Sequence, residues 1–219
     1  TYRKAEQNQV WAGMAKETAH QLGSPLSSLM AWIQLLEAQG VDEMATTEMQ
    51  KDIVRLEKVT DRFSKIGSGA KLDSSDISDT VRNITMYLRP RISDKVKFTV
   101  DIPDIAMLAK HNASLIEWVI ENICKNAVDA MEAVGELHVS IKGSPEWIHI
   151  DITDTGKGIP SNQLKTIFSP GFSTKKRGWG LGLSLVKRIV KEYHKGKVFV
   201  LESQINVGTT FRISIPADS

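Results

Sequence analysis

Asp154-Thr155-Gly156-Lys157-Gly158-Ile159-Pro160 sits where an expected strand over 146–153 gives out. An aspartate leaves the strand end, and two glycines then turn the chain tightly. Glycines at alternate positions let backbone come close to a ligand that a side chain would exclude. The Asp154 carboxylate can accept a hydrogen bond from an exocyclic amine such as that of adenine. A plain Asp-Gly turn between strand and loop accounts for the same residues without a ligand. The neighbouring segments decide between the two.

Outward from that loop, Leu137, Val139 and Ile141 alternate with polar residues and predict a strand over 136–142. Further strands are expected at Val96–Val100, 197–203 and 208–215. Ser114 to Ala133 reads as a long helix with Leu115, Val119, Ile123, Ala127 and Ala130 in register. Two more helices are expected over 76–90, ending near Arg89-Pro90, and over about 180–194. Strands interleaved with helices in this order predict an α/β sandwich, with helices laid on one face of a mixed sheet.

The first 70 residues have a different character. Val10, Met14, Leu22, Leu26, Leu29, Ile33 and Leu36 follow helical spacing, and Pro25 bends that helix. Gln39-Gly40 is a helix stop. A second helix resumes near Asp42 with Met49, Ile53, Leu56, Phe63 and Ile66, and ends at Gly67-Ser68-Gly69. Two helices bury too little to stand alone, so two copies closing a dimeric four-helix bundle are expected. Residues 67–76 are small and polar and suit a linker. The overall class is α+β, with a helical hairpin over 1–70 and a sandwich domain over 71–219.

Composition narrows the function. With 219 residues, 41% hydrophobic and 25% charged, the chain is an ordinary globular protein. A net charge of +2 is too balanced for a general nucleic-acid binder. The single Cys124 makes neither an intrachain disulfide nor a cysteine-based zinc site. No apolar run approaches the roughly 20 residues of a membrane helix. A chain opening Thr-Tyr-Arg-Lys without methionine is expected to be a piece of something longer.

Three further constellations carry chemistry. Gly178-Trp179-Gly180-Leu181-Gly182-Leu183 opens the 180–194 helix, where unpaired backbone N–H groups favour phosphate. Lys175, Lys176 and Arg177 add full positive charges just upstream; a glycine hinge with a solvated basic tip is the competing reading. Neither a P-loop nor a dinucleotide-binding βαβ unit fits. Asn122 and Asn126 lie four apart, on one face of the long helix. Their amide oxygens suit Mg²⁺, which keeps waters and phosphate oxygens as its other ligands; a satisfied buried amide pair is the alternative. Finally, Ala19-His20-Gln21-Leu22-Gly23-Ser24-Pro25-Leu26 puts His20 toward solvent, where an imidazole can act as nucleophile or proton carrier.

In this order, the motifs resemble a sensor histidine kinase over nearly the whole chain. His20-Gln21-Leu22-Gly23-Ser24-Pro25-Leu26 looks like the H-box, Asn122 to Asn126 the N-box, and Asp154-Thr155-Gly156-Lys157-Gly158 the G1 box. Phe168-Ser169-Pro170-Gly171-Phe172 resembles the F-box, and Gly178-Trp179-Gly180-Leu181-Gly182 the G2 box. Gly208-Thr209-Thr210-Phe211 matches the final-strand signature. The resemblance implies a dimerisation and phosphotransfer hairpin followed by a Bergerat-type ATP-binding domain. It implies ATP lying between the long helix and a lid over about 161–179, with Gly156, Gly158, Ile159, Phe168, Gly178, Gly180, Leu181 and Gly182 around it. Asp154 would hold the adenine amine with Thr209 in support through water, Asn126 would ligate Mg²⁺, and Asn122 would stand beside the phosphates. Lys175, Lys176 or Arg177 would reach the γ-phosphate. His20 would attack the γ-phosphorus, and the group would pass to an aspartate of a response-regulator receiver domain. A homodimer on the cytoplasmic side, in a full-length protein often membrane-anchored, is implied as well.

Three positions depart from the family pattern. Gln21 stands where an acidic residue commonly follows the histidine; an amide orients the imidazole but is no base. Ser24 stands where Thr or Asn positions water for phosphatase action. Trp179 stands where a small residue is common. Two other readings compete. A hydrolase of the same fold carries a glutamate four residues before its ligating asparagine; here that position is Asn122, and Glu121 points about 100° away around the helix. A degenerate kinase acting as an ATP-binding scaffold is the other. His111, His138, His149 and His194 show no metal-ligand spacing, and Cys124 reads as a small buried hydrophobe.

Overall fold

The computed structural model describes Leu22 and residues 25–68, 70–173 and 180–218. His20, Gln21 and Ser24, and Lys175, Lys176, Arg177, Gly178 and Trp179, lie outside the described residues. The chain divides into two compact units, Thr1–Ala70 and Lys71–Ser219.

In the first unit a helix over 25–38 (α1) turns at Gln39-Gly40 and returns as Glu43–Ser68 (α2). Gly40 adopts a φ of 73°, and the N–H groups of Gly40 and Val41 donate to the carbonyls of Glu37 and Leu36, satisfying the end of α1. Leu26, Ile33 and Ile53 form a small core with Met30 packed against it. Gln50 Nε2 donates to Glu37 Oε1 at 2.7 Å, an exposed bond from α2 to α1. Leu22, Leu29, Trp32, Leu35, Val54 and Leu56 remain exposed. The apolar stripe expected over Leu22, Leu26, Leu29 and Ile33 is therefore split, with part turned to the facing helix and part to the surface.

The second unit runs Asp73–Asp76 (β1), Ile77–Leu88 (α3), Val96–Asp101 (β2), Leu108–His111 (β3), Ala113–Ala130 (α4), Gly135–Gly143 (β4), Trp147–Asp154 (β5), Gly182–Arg188 (α5), Lys197–Gln204 (β6) and Gly208–Pro216 (β7). Five strands form one sheet in the order β2-β4-β5-β7-β6. β2 and β4 are parallel and the other neighbours antiparallel. Period-two alternation sends Ile148, Ile150 and Ile152 of β5 to one face beside Leu137, Val139 and Ile141 of β4 and Phe211, Ile213 and Ile215 of β7. Against that face lies α4, whose Leu115, Ile116, Val119, Ile120 and Ile123 are inaccessible to solvent. Truncating any of these isoleucines to alanine costs roughly 2–5 kcal/mol. The opposite sheet face is polar. Arg212 grips Asp151 with two hydrogen bonds of 2.7 and 2.6 Å, and His149 pairs with Ser214 at 2.8 Å.

The boundaries differ from expectation in three places. Asp73–Asp76, read as linker, is a strand pairing antiparallel with the unexpected strand β3. Its residues have no β propensity. Asp76 anchors it, accepting from Ser78 N–H at 2.9 Å at the start of α3 and from Met107 N–H at 3.0 Å. Burial pushes the Asp76 carboxyl up, but these bonds outweigh it and hold it below the ordinary value. The long helix stops at Ala130 because Glu132 and Ala133 take left-handed φ values of 53° and 60°. The last helix is not continuous over 180–194: α5 passes into a π-helical turn, Ile189–Tyr193.

That π turn ends on a buried histidine. His194 Nδ1–H donates to the Ile189 carbonyl at 2.9 Å, and its Nε2 accepts from Asn112 N–H, the N-cap of α4, at 3.1 Å. Both nitrogens are thus used by the neutral ring. Burial first, and the neighbouring His111 in addition, hold its pKa below 6.5 against the opposing pull of the Ile189 carbonyl. Below 6.5 the unfolded chain takes up a proton that the folded ring refuses, so stability is full above that pH and falls as pH drops toward the folded value. His149, lowered by burial and by Arg212, adds to the same slope. The urea midpoint should therefore decline as the solution is acidified below 6.5, and the decline should be shallower in His194→Asn; an equal slope in the variant would assign the effect elsewhere.

Candidate functional site

The strand ends and the segments that follow them enclose a cavity of about 1080 Å³. α4 supplies Asn126, Ala127, Asp129 and Ala130 to its wall. The glycine loop supplies Lys157, Gly158, Ile159 and Pro160, the following segment Gln163, Ile167, Phe172 and Ser173, and the start of α5 Gly180, Leu181, Gly182 and Leu183. Asp154, Thr209 and Phe211 stand on the sheet, and Ile205 and Asn206 on the β6–β7 turn. Apolar walls with a few converging polar groups are the form of a small-molecule site.

Asp154 is 4% exposed and closes β5 opposite Thr209 of β7. Burial pushes its carboxyl above the ordinary carboxylate range, opposed by hydrogen bonds from the Gly156 and Thr209 N–H groups. The Gly156 bond, to Oδ1, measures 2.8 Å. An acceptor buried at this cavity suits a ligand N–H donor better than water.

The glycine loop is pinned on both sides. Lys157 N–H donates to the carbonyl of Ala130, at the end of α4, at 3.1 Å, and its own carbonyl accepts from Asn206 N–H at 3.0 Å. Ile159 N–H donates to Ser203 Oγ at 2.8 Å, and Ser203 Oγ lies 3.0 Å from Thr209 Oγ1. Gly158, at a φ of 71°, packs so closely on the Gln204 carbonyl that a Cβ there would overlap it. Only glycine lets the loop and the hairpin meet.

Of the residues singled out in the sequence and described here, Asn126, Asp154, Gly158, Ile159, Gly180, Leu181, Gly182 and Thr209 line the cavity. Asn122, Gly156 and Phe168 are not among its lining residues. Asn122 Nδ2 donates to the Trp118 carbonyl at 2.9 Å, and its Oδ1 lies 3.4 Å from where a Cβ on Gly182 would be. Phe168 is 9% exposed and meets the Phe211 ring edge-on, with centroids 6.2 Å apart. Lys157, Gln163, Phe172, Leu183, Ile205 and Asn206 were not foreseen as lining. Lys157, Phe172 and Leu183 lie within the Asp154–Pro160, Phe168–Phe172 and Gly178–Leu183 runs quoted above; Gln163, Ile205 and Asn206 carry no spacing that marks them.

A divalent cation fits the donor set in one manner. Among the described residues no group of three His, Cys, Asp or Glu residues is placed to hold a metal. Asn126 is half-buried and lines the cavity, and an asparagine amide oxygen is the kind of ligand taken by a cation that binds one or two protein oxygens and completes its shell with phosphate and water.

Residues 111–219 match the family described as histidine kinase-, DNA gyrase B-, and HSP90-like ATPase. Nitrogen regulation protein NtrY of Azorhizobium caulinodans is 27% identical over 98% of this chain and 30% of its own length. Sensor histidine kinase ZraS of Escherichia coli K12 is 29% identical over 94% of this chain and 45% of its own. The chain thus spans less than half the length of these curated relatives. The fold is that of the catalytic domain of histidine kinase ThkA, which covers 67% of this chain and 97% of its own with a TM-score of 0.61 at 24% identity. The ThkA complex with response regulator protein TrrA gives a TM-score of 0.62 over 99% of this chain and 66% of that one, at 18% identity.

Proposed function

We propose that this chain, which belongs to the sensor histidine kinases, is a catalytic core that phosphorylates its own His20 from ATP and passes the group to an aspartate of a response-regulator receiver domain. The observation that carries the reading is the buried Asp154 carboxylate at a cavity edged by the glycine loop and the start of α5. Asp154 accepts the adenine amine, and Thr209, tied to Ser203, supports it. Asn126 holds Mg²⁺, which neutralises phosphate charge, and Asn122 stands toward the phosphates. The backbone of Gly178, Gly180 and Gly182 admits the phosphates, and one of Lys175, Lys176 and Arg177 reaches the γ-phosphate. In the transfer an imidazole nitrogen–phosphorus bond forms, the bond from the γ-phosphorus to the oxygen of departing ADP breaks, and the ring proton leaves to water or to a base other than Gln21. Positioning and charge neutralisation carry such a reaction.

Residues 1–70 serve as the dimerisation and phosphotransfer hairpin in this reading, and 71–219 as the catalytic domain. The exposed Leu29, Trp32, Leu35 and Leu56 support a four-helix bundle in a homodimer, since apolar surface on a two-helix unit calls for cover. No helix among the described residues is long and apolar enough to cross a membrane; a cytoplasmic place beneath an anchored sensor belongs to the same proposal. Glu121 is 7% exposed and ion-paired with Lys125 at 2.7 Å. A water-activating base is better left unpaired, which disfavours the hydrolase.

Incubation with γ-labelled ATP and Mg²⁺ tests the reading. Acid-labile, base-stable label is expected on the chain and none on His20→Ala. An unlabelled chain that binds ATP would leave a scaffold, and phosphate release independent of His20 would leave a hydrolase.

A further inference from the structure

We propose that the Ile205-Asn206 turn, at the tip of the β6–β7 hairpin, is the cover of the base end of the cavity: the Ile205 side chain lies on a face of the nucleotide base, and Asn206 is the positioning residue that holds it there. This rests on the nucleotide reading above.

Ile205 is a large aliphatic side chain left 49% exposed, yet it lines the cavity. It stands at the end where Asp154 and Thr209 face each other across β5 and β7, and the hairpin that carries it leads directly into Thr209. That end receives the base, because the buried carboxylate there suits an amine and not a phosphate. A flat apolar ring is the client that an uncovered aliphatic wall beside a hydrogen-bond acceptor accommodates.

The turn is held rigidly for this task. Asn206 adopts a φ of 61°, a conformation that asparagine tolerates and β-branched residues resist. Its N–H donates to the Lys157 carbonyl at 3.0 Å, and Val207 N–H closes the turn on the Gln204 carbonyl at 3.1 Å. Ser203 Oγ accepts from Ile159 N–H just before it. The same hairpin therefore braces the glycine loop and presents Ile205, so the wall is preorganised and ligand binding orders nothing new there.

Titration calorimetry of the whole chain with ATP and with ADP, and with tripolyphosphate as a base-free probe, tests the proposal. Ile205→Ala should weaken ATP and ADP by the same factor, about five- to tenfold for the lost aliphatic cover, and leave tripolyphosphate unchanged. Thermal melts without nucleotide should stay at the wild-type value, since the side chain is half in solvent. Asn206→Val should reproduce the loss and Asn206→Gly should not. Undiminished ATP affinity in Ile205→Ala, or a parallel loss of tripolyphosphate, would overturn the base-cover role while wild-type binding upheld the nucleotide reading. A wild-type chain that binds no adenine nucleotide would sink that reading itself.

Discussion

Asp154→Asn is expected to lower ATP affinity about a hundredfold while leaving the nucleotide-free protein as stable as before, or slightly more so. The two effects separate for a physical reason. Asp154 is buried, and burial already penalises its charge, raising its pKa above the ordinary value. An amide of the same shape relieves that penalty and its oxygen still accepts from the Gly156 N–H, now 2.8 Å from Oδ1, while the weakened bond from the Thr209 N–H, which also donates to the carboxylate, offsets part of that gain. The remaining group then becomes an NH₂ donor aimed at the ligand. Against an adenine amine it sets donor on donor, removing a charge-assisted hydrogen bond and leaving a buried donor unmatched, together about 3 kcal/mol. Calorimetry for affinity and urea titration for stability check both halves. ATP bound by the variant at wild-type strength would remove Asp154 from base recognition. In the wild type, acidification should weaken ATP binding at a higher pH than for an ordinary aspartate, because a raised carboxyl takes its proton sooner.

Much of the cavity was legible because its residues sit at points where periodicity breaks. The alternation of Ile148, Ile150 and Ile152 has to stop somewhere, and Asp154 is where a buried position turns polar. The helical register of α4 placed Asn126 on the wall in the same manner. Asn122, on the same face one turn earlier, is half-buried outside the lining with its amide bonded to its own helix at Trp118, since a shared face does not fix position along the helix axis. Ile205 and Asn206 were invisible for a different reason. They reach the cavity through a backbone bond to Lys157, and backbone pairing between distant segments leaves no mark on side-chain composition. β1 escaped likewise: Asp73-Ser74-Ser75-Asp76 has the composition of a linker and is a strand by virtue of its partner and the two bonds to Asp76.

Gly208→Ala should be the most damaging single-methyl change in the second unit, costing roughly 2–4 kcal/mol of stability and abolishing ATP binding with it. Gly208 pairs with Gln204 at the start of β7 and has a φ of 147°, a conformation closed to residues with a Cβ. A Cβ there would overlap the carbonyl oxygen of Asp154 and approach the Asp154 carbonyl carbon and Thr155 Cα at 3.0 and 3.1 Å. These are backbone atoms of β5 and of the glycine loop, so no side chain can swing aside to make room. The methyl is accommodated only by parting β5 from β7 at the Asp154–Thr209 pair, where the carboxylate and its supporting threonine must stay together. Gly40 is the control, because it shares a left-handed φ, 73°, with nothing within 4 Å of the added atom. Its alanine variant bears conformational strain of about 1 kcal/mol and no clash. Urea titrations of both variants separate the terms. If Gly208→Ala unfolds no earlier than Gly40→Ala, strand contact at Asp154 is not what requires glycine there. If it unfolds early yet binds ATP at full strength, the pairing of Asp154 with Thr209 does not govern the site.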